Sequence, residues 1–205
     1  MNAPQGSNEW KIERLGKVTA SRVSDVVART KSGWGASRAN YMAQLIAERL
    51  TGEMQESFSN AAMQWGTEKE PEARATYTFY CGWDVTLIGF IAHPSIPMSG
   101  ASPDGFVGTD GLVEFKCPNT ATHIETLLSG GIDDKYMKQM QWQMACANRA
   151  WCDWVSFDPR MPENMRLHVE RIPRNNTLIA ALEKDVTEFL GELASKVSNL
   201  QAQFK

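Results

Sequence analysis

The sequence contains no CxxC pair. Its four cysteines, Cys81, Cys117, Cys146 and Cys152, stand apart, and so do its three histidines, His93, His123 and His168. Zinc and iron–sulfur sites draw on tighter cysteine pairs or a neighbouring histidine, so the spacing disfavours a structural metal cluster and the cysteines read as reduced, mostly buried side chains. No apolar run approaches the length that spans a bilayer. The polar stretch Met1 to Asn8 lacks a signal-peptide core, and the expectation is a chain that stays in the cytoplasm. A basic excess is missing too: 21 Lys and Arg face 24 Asp and Glu, a net charge of −3. That balance argues against a protein whose whole exterior binds nucleic acid. It leaves open a segregated arrangement, with a basic inner surface and an acidic outer one.

Internal repeats, low-complexity tracts and interdomain linkers are also absent. With 205 residues, 42% of them hydrophobic and 22% charged, the chain suits one folded domain over residues 1–205 with a substantial core, and it is far from a disordered composition. Ser7 to Leu15 reads as a short helix with Ser7 as N-cap and Gly16 just past its end. A second helix is expected from a cap at Thr19 to Ser21, with Val23, Val26 and Val27 on one face. Lys31 to Ala36 reads as a glycine-rich loop. Tyr41, Met42, Leu45, Ile46 and Leu50 follow helical spacing over Ser37 to Thr51, closed by Gly52. A helical stretch from Ser59 to Tyr80 is expected to kink or break at Gly66 and Pro71.

The period then changes. Trp83 to Ala92 reads as a strand. Phe106-Val107 and Leu112 to Lys116 flank the turn Gly108-Thr109-Asp110-Gly111, a hairpin signal. Helical patterning covers Ala121 to Leu128 and Asp133 to Asn148. Trp151 to Phe157 and Arg166 to Ile172 read as strands, and a long amphipathic helix runs from Thr177 to the end. Helices on both sides of a block of strands predict an α/β fold with a central mixed β-sheet flanked by helices.

The chemistry concentrates in Ser102-Pro103-Asp104-Gly105 and Leu112-Val113-Glu114-Phe115-Lys116. Side chains two apart on a strand share a face, so Glu114 and Lys116 project together while Val113 and Phe115 enter the opposite layer. The hairpin returns Asp104 beside them. Two carboxylates with few other ligands suit a hard cation, Mg²⁺ or alternatively Mn²⁺, rather than zinc. Such a site activates water and places positive charge near a leaving oxygen, as phosphodiester cleavage requires. Lys116 would orient or help deprotonate the water and stabilise the charged transition state. A bare Glu-x-Lys is ordinarily a solvated pair; an apolar strand and a preceding Pro-Asp-Gly turn distinguish this one.

These residues resemble the PD-(D/E)xK nucleases, and within them the lambda-exonuclease or YqaJ-like viral recombinase branch. Trp10 to Ala20 (WKIERLGKVTA) with Ser21 resembles that branch's first motif, and Gln64-Trp65-Gly66 with Glu70 and Glu72-Ala73-Arg74 its second. Ala101 to Gly105 and Glu114 to Pro118 resemble the catalytic core. Tyr136 to Trp142, with Gln139 and Gln141, resembles a helical glutamine motif, and Asp158-Pro159-Arg160-Met161 also matches. The likeness runs in order from about Trp10 to Arg171.

The resemblance implies a restriction-endonuclease-like core and a Mg²⁺-dependent 5′→3′ exonuclease. Such an enzyme digests one strand of linear duplex DNA to 5′ mononucleotides and leaves a 3′ overhang for strand-annealing recombination in a bacterial host cell. Asp104, Glu114 and the Phe115 carbonyl would be metal ligands, Lys116 the catalytic lysine, and Glu70 a further ligand for a second metal. Arg14 would read the 5′-phosphate, with Ser21, Ser102 and Gln139 in the same pocket. Met63 would separate the terminal base pair, and Lys31 and Arg160 would touch phosphates along the DNA path. The likeness also implies a ring-shaped homotrimer, a single-strand annealing protein as partner, and no membrane. Taken by residue type alone, Arg14 reads as a helix-end arginine, Glu70 as a solvated helix residue and Met63 as core filler. An endonuclease or RecB-like nuclease of the same fold, and a degenerate DNA-binding module, remain the alternatives.

Overall fold

The computed structural model describes residues 3–31, 33–55 and 61–204. Helix α1 (Asn8–Arg14) starts where the Ser7 hydroxyl accepts the Trp10 amide. Strand β1 (Val18–Thr19), a 3₁₀ turn (Ala20–Arg22) and helix α2 (Val23–Val26) follow. The helix expected from a Thr19 to Ser21 cap is thus preceded by a strand: Val18 and Thr19 pair in parallel with Ser99 and Gly100, and tertiary pairing overrides the local cap signal. Val23 and Val26 are buried as expected.

The glycine-rich segment expected to be a loop instead contributes a strand. Strands β2 (Arg29–Thr30) and β3 (Gly33–Trp34) form an antiparallel ribbon, with the Arg29 guanidinium 3.8 Å from the Trp34 ring centroid; Ser32 lies outside the described residues. Helix α3 (Ala36–Thr51) ends at Gly52 in the left-handed region, and Leu50, expected on its apolar face, is exposed.

Helix α4 (Ala61–Cys81) runs as one helix through Gly66 and Pro71, so of the expected kink or break the break does not occur. Pro71 is exposed, while Ala73 and Tyr77, two and six residues on, are fully buried against the sheet, and that packing holds the helix across the missing amide. Ser59, at the expected helix start, lies outside the described residues. The single strand expected over Trp83 to Ala92 is two, β4 (Val85–Thr86) and β5 (Ile91–Ala92), which join different sheets.

Strands β6 (Ser99–Ala101), β7 (Gly105–Val107) and β8 (Gly111–Lys116) lead into α5 (Thr120–Ser129) and α6 (Asp134–Ala147), capped by Asn119 and Asp133. Strands β9 (Trp151–Phe157) and β10 (Leu167–Pro173) and the long helix α7 (Asn176–Gln203) complete the order. The main sheet has the order β10-β9-β8-β7-β4, with β8 and β9 parallel and the other pairs antiparallel. It is mixed and flanked by helices, as the pattern predicted. A second sheet, β1-β6-β5, places β1 parallel to β6.

The alternation of β8 divides the core. Val113 and Phe115 meet Ala73 and Tyr77 of α4, whereas Leu112 meets Met140 and Met144 of α6. A third apolar cluster joins α2, α3 and α7 through Val23, Tyr41, Leu45 and Phe189. Gly100 shows why β6 can lie so close to β5: a Cβ there would stand 2.4 Å from the Ile91 carbonyl oxygen. Among the described residues no helix is long and apolar enough to cross a membrane.

Candidate active site

The β7–β8 hairpin pairs Gly105 with Val113, and the next contact outward is made by a side chain: the Phe115 amide donates to Asp104 Oδ2 at 2.7 Å. Asp104 is thereby fixed beside the polar end of β8. Glu114, 2% exposed, lies under α6 and accepts three hydrogen bonds. Lys116 Nζ and Gln139 Nε2 reach its Oε1 at 2.5 and 2.6 Å, and Gln143 Nε2 reaches its Oε2 at 2.7 Å. Glu114 and Lys116 do project together, as strand alternation requires.

Charge is crowded here. Burial pushes the Asp104 carboxyl well above the usual carboxylate range, and Glu114 and Glu70 push it further, against the opposing pull of Lys116 and the Phe115 amide. Burial likewise raises Glu70, with Arg74 opposing and Glu114 adding to the shift. Burial alone would lower Lys116, but Glu114 and Asp104 more than reverse this and hold the ammonium above its ordinary value. Lys116 therefore keeps its proton. That favours a charge-stabilising and orienting role over the role of a base. The Cys117 thiol nearby is pushed up to about 12 by burial and the surrounding acids, which leaves it inert as a nucleophile.

Glu70, Asp104, Phe115 and Lys116 line one groove of about 650 Å³, with Met63 and Tyr136 further along it. Among the described residues, no three His, Cys, Asp or Glu side chains are gathered as a metal cage. The donor set is two carboxylates, with backbone and water to complete a shell. It fits a hard cation that keeps several waters, and the crowded acids supply the negative charge that such a cation would neutralise.

A second cavity, about 260 Å³, is lined by Arg14, Ser21 and Met63 together with Lys17, Arg22 and Glu48. Arg14 is half-buried, and burial lowers its pKa, with Tyr41 and Glu48 opposing. Its guanidinium lies 4.1 Å from the Trp10 ring centroid, and Nη1 is 3.5 Å from Ser102 Oγ, to which the Trp10 indole donates at 2.9 Å. No carboxylate among the described residues stands within ion-pair distance of Arg14. The nearest acid by influence, Glu48, spends its oxygens on the Gly16 amide and the Gln44 side chain. Met63 borders both cavities and so joins the Arg14 pocket to the groove.

The structure thus gathers Asp104, Glu114, Phe115, Lys116 and Glu70 in one place, and Arg14, Ser21, Ser102 and Met63 in another. Gln139, expected with the second group, stands at Glu114. Lys31 is exposed beside the β2–β3 ribbon and lines neither cavity. Arg160 is bound to Asp158 at 2.7 Å, reaches the Pro118 carbonyl, and lies 4.4 Å from the Trp65 ring centroid. Sequence reasoning missed Gln143. Its spacing of four from Gln139 on one helix, which puts the two amides on the same face, was the available signal.

A mixed sheet that sets Asp104 and Lys116 at an open groove, with the buried Glu114 hydrogen-bonded to Lys116 beside them, has the arrangement of a nuclease site. The YqaJ-like viral recombinase domain matches residues 9–150, and the chain belongs to that family. It is similar to LHK-Exo in complex with dAMP, at 54% identity over 96% of this chain and 97% of the other, with a TM-score of 0.90. It is equally similar to the alkaline exonuclease LHK-Exo from Laribacter hongkongensis, at 53% identity over the same 96% and 97%, with a TM-score of 0.90. A phage-related exonuclease from Haemophilus somnus shares the fold at 16% identity, with a TM-score of 0.71 over 90% of this chain and 96% of that one. A comparison with curated proteins finds no match.

Proposed function

We propose that the chain is a Mg²⁺-dependent exonuclease that digests one strand of linear duplex DNA from its 5′ end. The observation that carries this reading is the half-buried, carboxylate-free Arg14 in a cavity that shares Met63 with the Asp104–Lys116 groove. A bidentate cation suits a terminal phosphate, which carries more charge than an internal one. The solved relative in complex with dAMP holds a deoxynucleoside monophosphate, the product class released when the bond to the 3′ oxygen breaks.

In this reading Asp104, Glu114 and the Phe115 carbonyl hold Mg²⁺, with Mn²⁺ as an alternative, and Glu70 serves a second ion. When bound, the metal activates water and places positive charge at the scissile phosphate. Lys116, protonated at Nζ, orients the attacking water and balances the charge of the transition state. Arg14, Ser21 and Ser102 take the 5′-phosphate. Gln139 steadies Glu114 through its bond to Oε1. Met63 parts the terminal base pair, while Lys31 and Arg160 guide phosphates along the duplex.

Water attacks the phosphorus, the bond to the 3′ oxygen breaks, and that oxygen takes up a proton. The shortened strand is left with a new 5′-phosphate for Arg14, so each cut prepares the next. A homotrimeric ring in the host cytoplasm, handing a 3′ overhang to a single-strand annealing protein, completes the proposal. One domain spanning residues 1–205 carries it.

The test uses linear duplexes with phosphorylated or hydroxyl 5′ ends and a covalently closed circle, each with and without Mg²⁺. Release of 5′ mononucleotides from phosphorylated linear ends, with the circle untouched, is the expected result. Nicking of the circle would establish an endonuclease instead. DNA binding without cleavage in Mg²⁺ or Mn²⁺ would establish a binding module.

A further inference from the structure

Asp104, which lines the groove, and the buried Glu114 each have one oxygen committed to a donor that is part of the protein's framework. Asp104 Oδ2 accepts the Phe115 backbone amide at 2.7 Å, a bond set by the β7–β8 hairpin. Glu114 Oε2 accepts Gln143 Nε2 at 2.7 Å, and Gln143 is completely buried on α6 between the buried side chains of Trp142 and Met144. The amide's orientation follows from its partner, because turning it over would set its carbonyl oxygen against a carboxylate oxygen. Gln143 Oε1 has no protein partner among the described residues, so the side chain's one pairing is with Glu114.

Glu114 Oε1 differs. Its donors, Lys116 Nζ and Gln139 Nε2, belong to partly buried side chains rather than to the closed interior that holds Gln143. Each acid therefore has one oxygen held by a framework donor, while the other oxygen of Glu114 is held only by partly buried side chains.

We propose that Gln143 is a positioning residue that reserves Glu114 Oε2, so that Glu114 offers a cation a single oxygen and the site prefers Mg²⁺ to Ca²⁺. The inference rests on the divalent-cation reading given above. Mg²⁺ takes six ligands in a tight octahedron, commonly one oxygen per carboxylate with waters in the remaining places. Ca²⁺ takes six to eight ligands and gains from carboxylates that close on it with both oxygens. Tying one oxygen of Asp104 and one of Glu114 withholds that second mode. Freeing Glu114 Oε2 restores it on one side, while the Asp104 tether, made by backbone, stays in place.

Isothermal titration calorimetry of the full chain with MgCl₂ or CaCl₂ alone reads this directly, with thermal midpoints measured alongside by circular dichroism. The wild type is expected to bind Mg²⁺ more tightly than Ca²⁺. In Gln143→Met, which keeps an unbranched side chain without the donor, the Mg²⁺-to-Ca²⁺ affinity ratio is expected to fall by about tenfold, the scale of one charge-assisted hydrogen bond. Gln139→Met removes a donor from the other oxygen and is expected to keep the ratio. Should Gln143→Met fail to fold, Gln143→Asn, which withdraws the amide by one methylene, carries the same expectation. A lowered thermal midpoint with an unchanged ratio would make Gln143 merely structural and overturn the proposal. Wild-type protein that binds Ca²⁺ as tightly as Mg²⁺ would overturn it without any variant. Binding of neither ion would overturn the metal reading itself, which keeps the two failures apart.

Discussion

Replacing Arg14 with alanine removes a guanidinium whose neighbours in the protein do little to hold it. Its contact with Ser102 Oγ, at 3.5 Å, is at the outer limit of a hydrogen bond, and its other contact is the face of Trp10 at 4.1 Å. The cation–π term is worth about 0.5–1 kcal/mol. A chain of this length therefore loses only about 2–4 °C of thermal midpoint per kcal/mol. The functional loss is larger. A charge-assisted hydrogen bond to phosphate contributes about 1.5–3 kcal/mol, a factor of about 10 to 150 in rate at subsaturating substrate. The assay is kcat/KM on matched duplexes that differ only in a 5′-phosphate or 5′-hydroxyl. The wild type should favour the phosphate by a factor in that range, and Arg14→Ala should bring the ratio close to one while changing the hydroxyl substrate little. A variant that keeps the preference, or that loses both substrates equally, would refute the assignment of the pocket.

Lys116→Ala should lower the cleavage rate by about 10²–10³-fold, the range for one lost transition-state donor, with duplex affinity retained in a gel-shift titration; unchanged turnover would remove Lys116 from the chemistry. Asp104→Asn should stabilise the metal-free protein at alkaline pH, because a carboxyl with a raised folded pKa contributes stability below its unfolded value and loses it as pH rises through the folded one. The asparagine oxygen can still accept the Phe115 amide, so thermal midpoints of the two proteins should converge towards acid pH and separate above it; parallel curves would contradict the shift. Gly100→Ala should cost about 1–3 kcal/mol or more by denaturant unfolding, since the new methyl meets the Phe90 ring at 2.3 Å and the Ile91 carbonyl at 2.4 Å. A neutral result would mean that β5 and β6 separate easily.

Much of the site was legible because it lies in local pattern. Strand alternation alone set Glu114 and Lys116 on one face and Val113 and Phe115 on the other, and the glycine-bounded turn returned Asp104 to them. Caps at Ser7, Asn119 and Asp133 and the left-handed ends at Gly52 and Asn148 explain why helix limits were readable to within a residue or two. The misreadings share a cause in strand pairing, which periodicity along a single segment does not show. Thr19 became strand through Gly100, Gly33-Trp34 through Arg29-Thr30, and Trp83 to Ala92 was divided because its ends serve different sheets. Pro71 looked like a break because nothing in the local sequence shows the buried Tyr77, whose hydroxyl donates to Asp153 at 2.7 Å across the core. Arg14 carries no local signal at all: its exposure to a cavity without a carboxylate partner arises only when α1, the Ser102 loop and α3 meet.

The net charge of −3, the first obstacle to a DNA substrate, is resolved by where the charges lie. Helix α7 holds four acids, Glu183, Asp185, Glu188 and Glu192, against two lysines, Lys184 and Lys196, a balance of −2 that accounts for most of the chain's −3. That helix packs on α2, α3 and α6, and none of its acids lines the groove or the Arg14 pocket. The Arg14 pocket sets Arg14, Lys17 and Arg22 against one acid, Glu48, whose charge is spread into hydrogen bonds to Gly16 and Gln44. In the groove Lys116 and Lys135 face Asp104 and Glu70, and a bound divalent cation would turn that even balance positive. On the proposed reading a duplex end would meet its positive charge in two small cavities rather than on a basic exterior. A surface of that kind would hold DNA weakly except where an end can enter, which suits the proposed stepwise release of nucleotides.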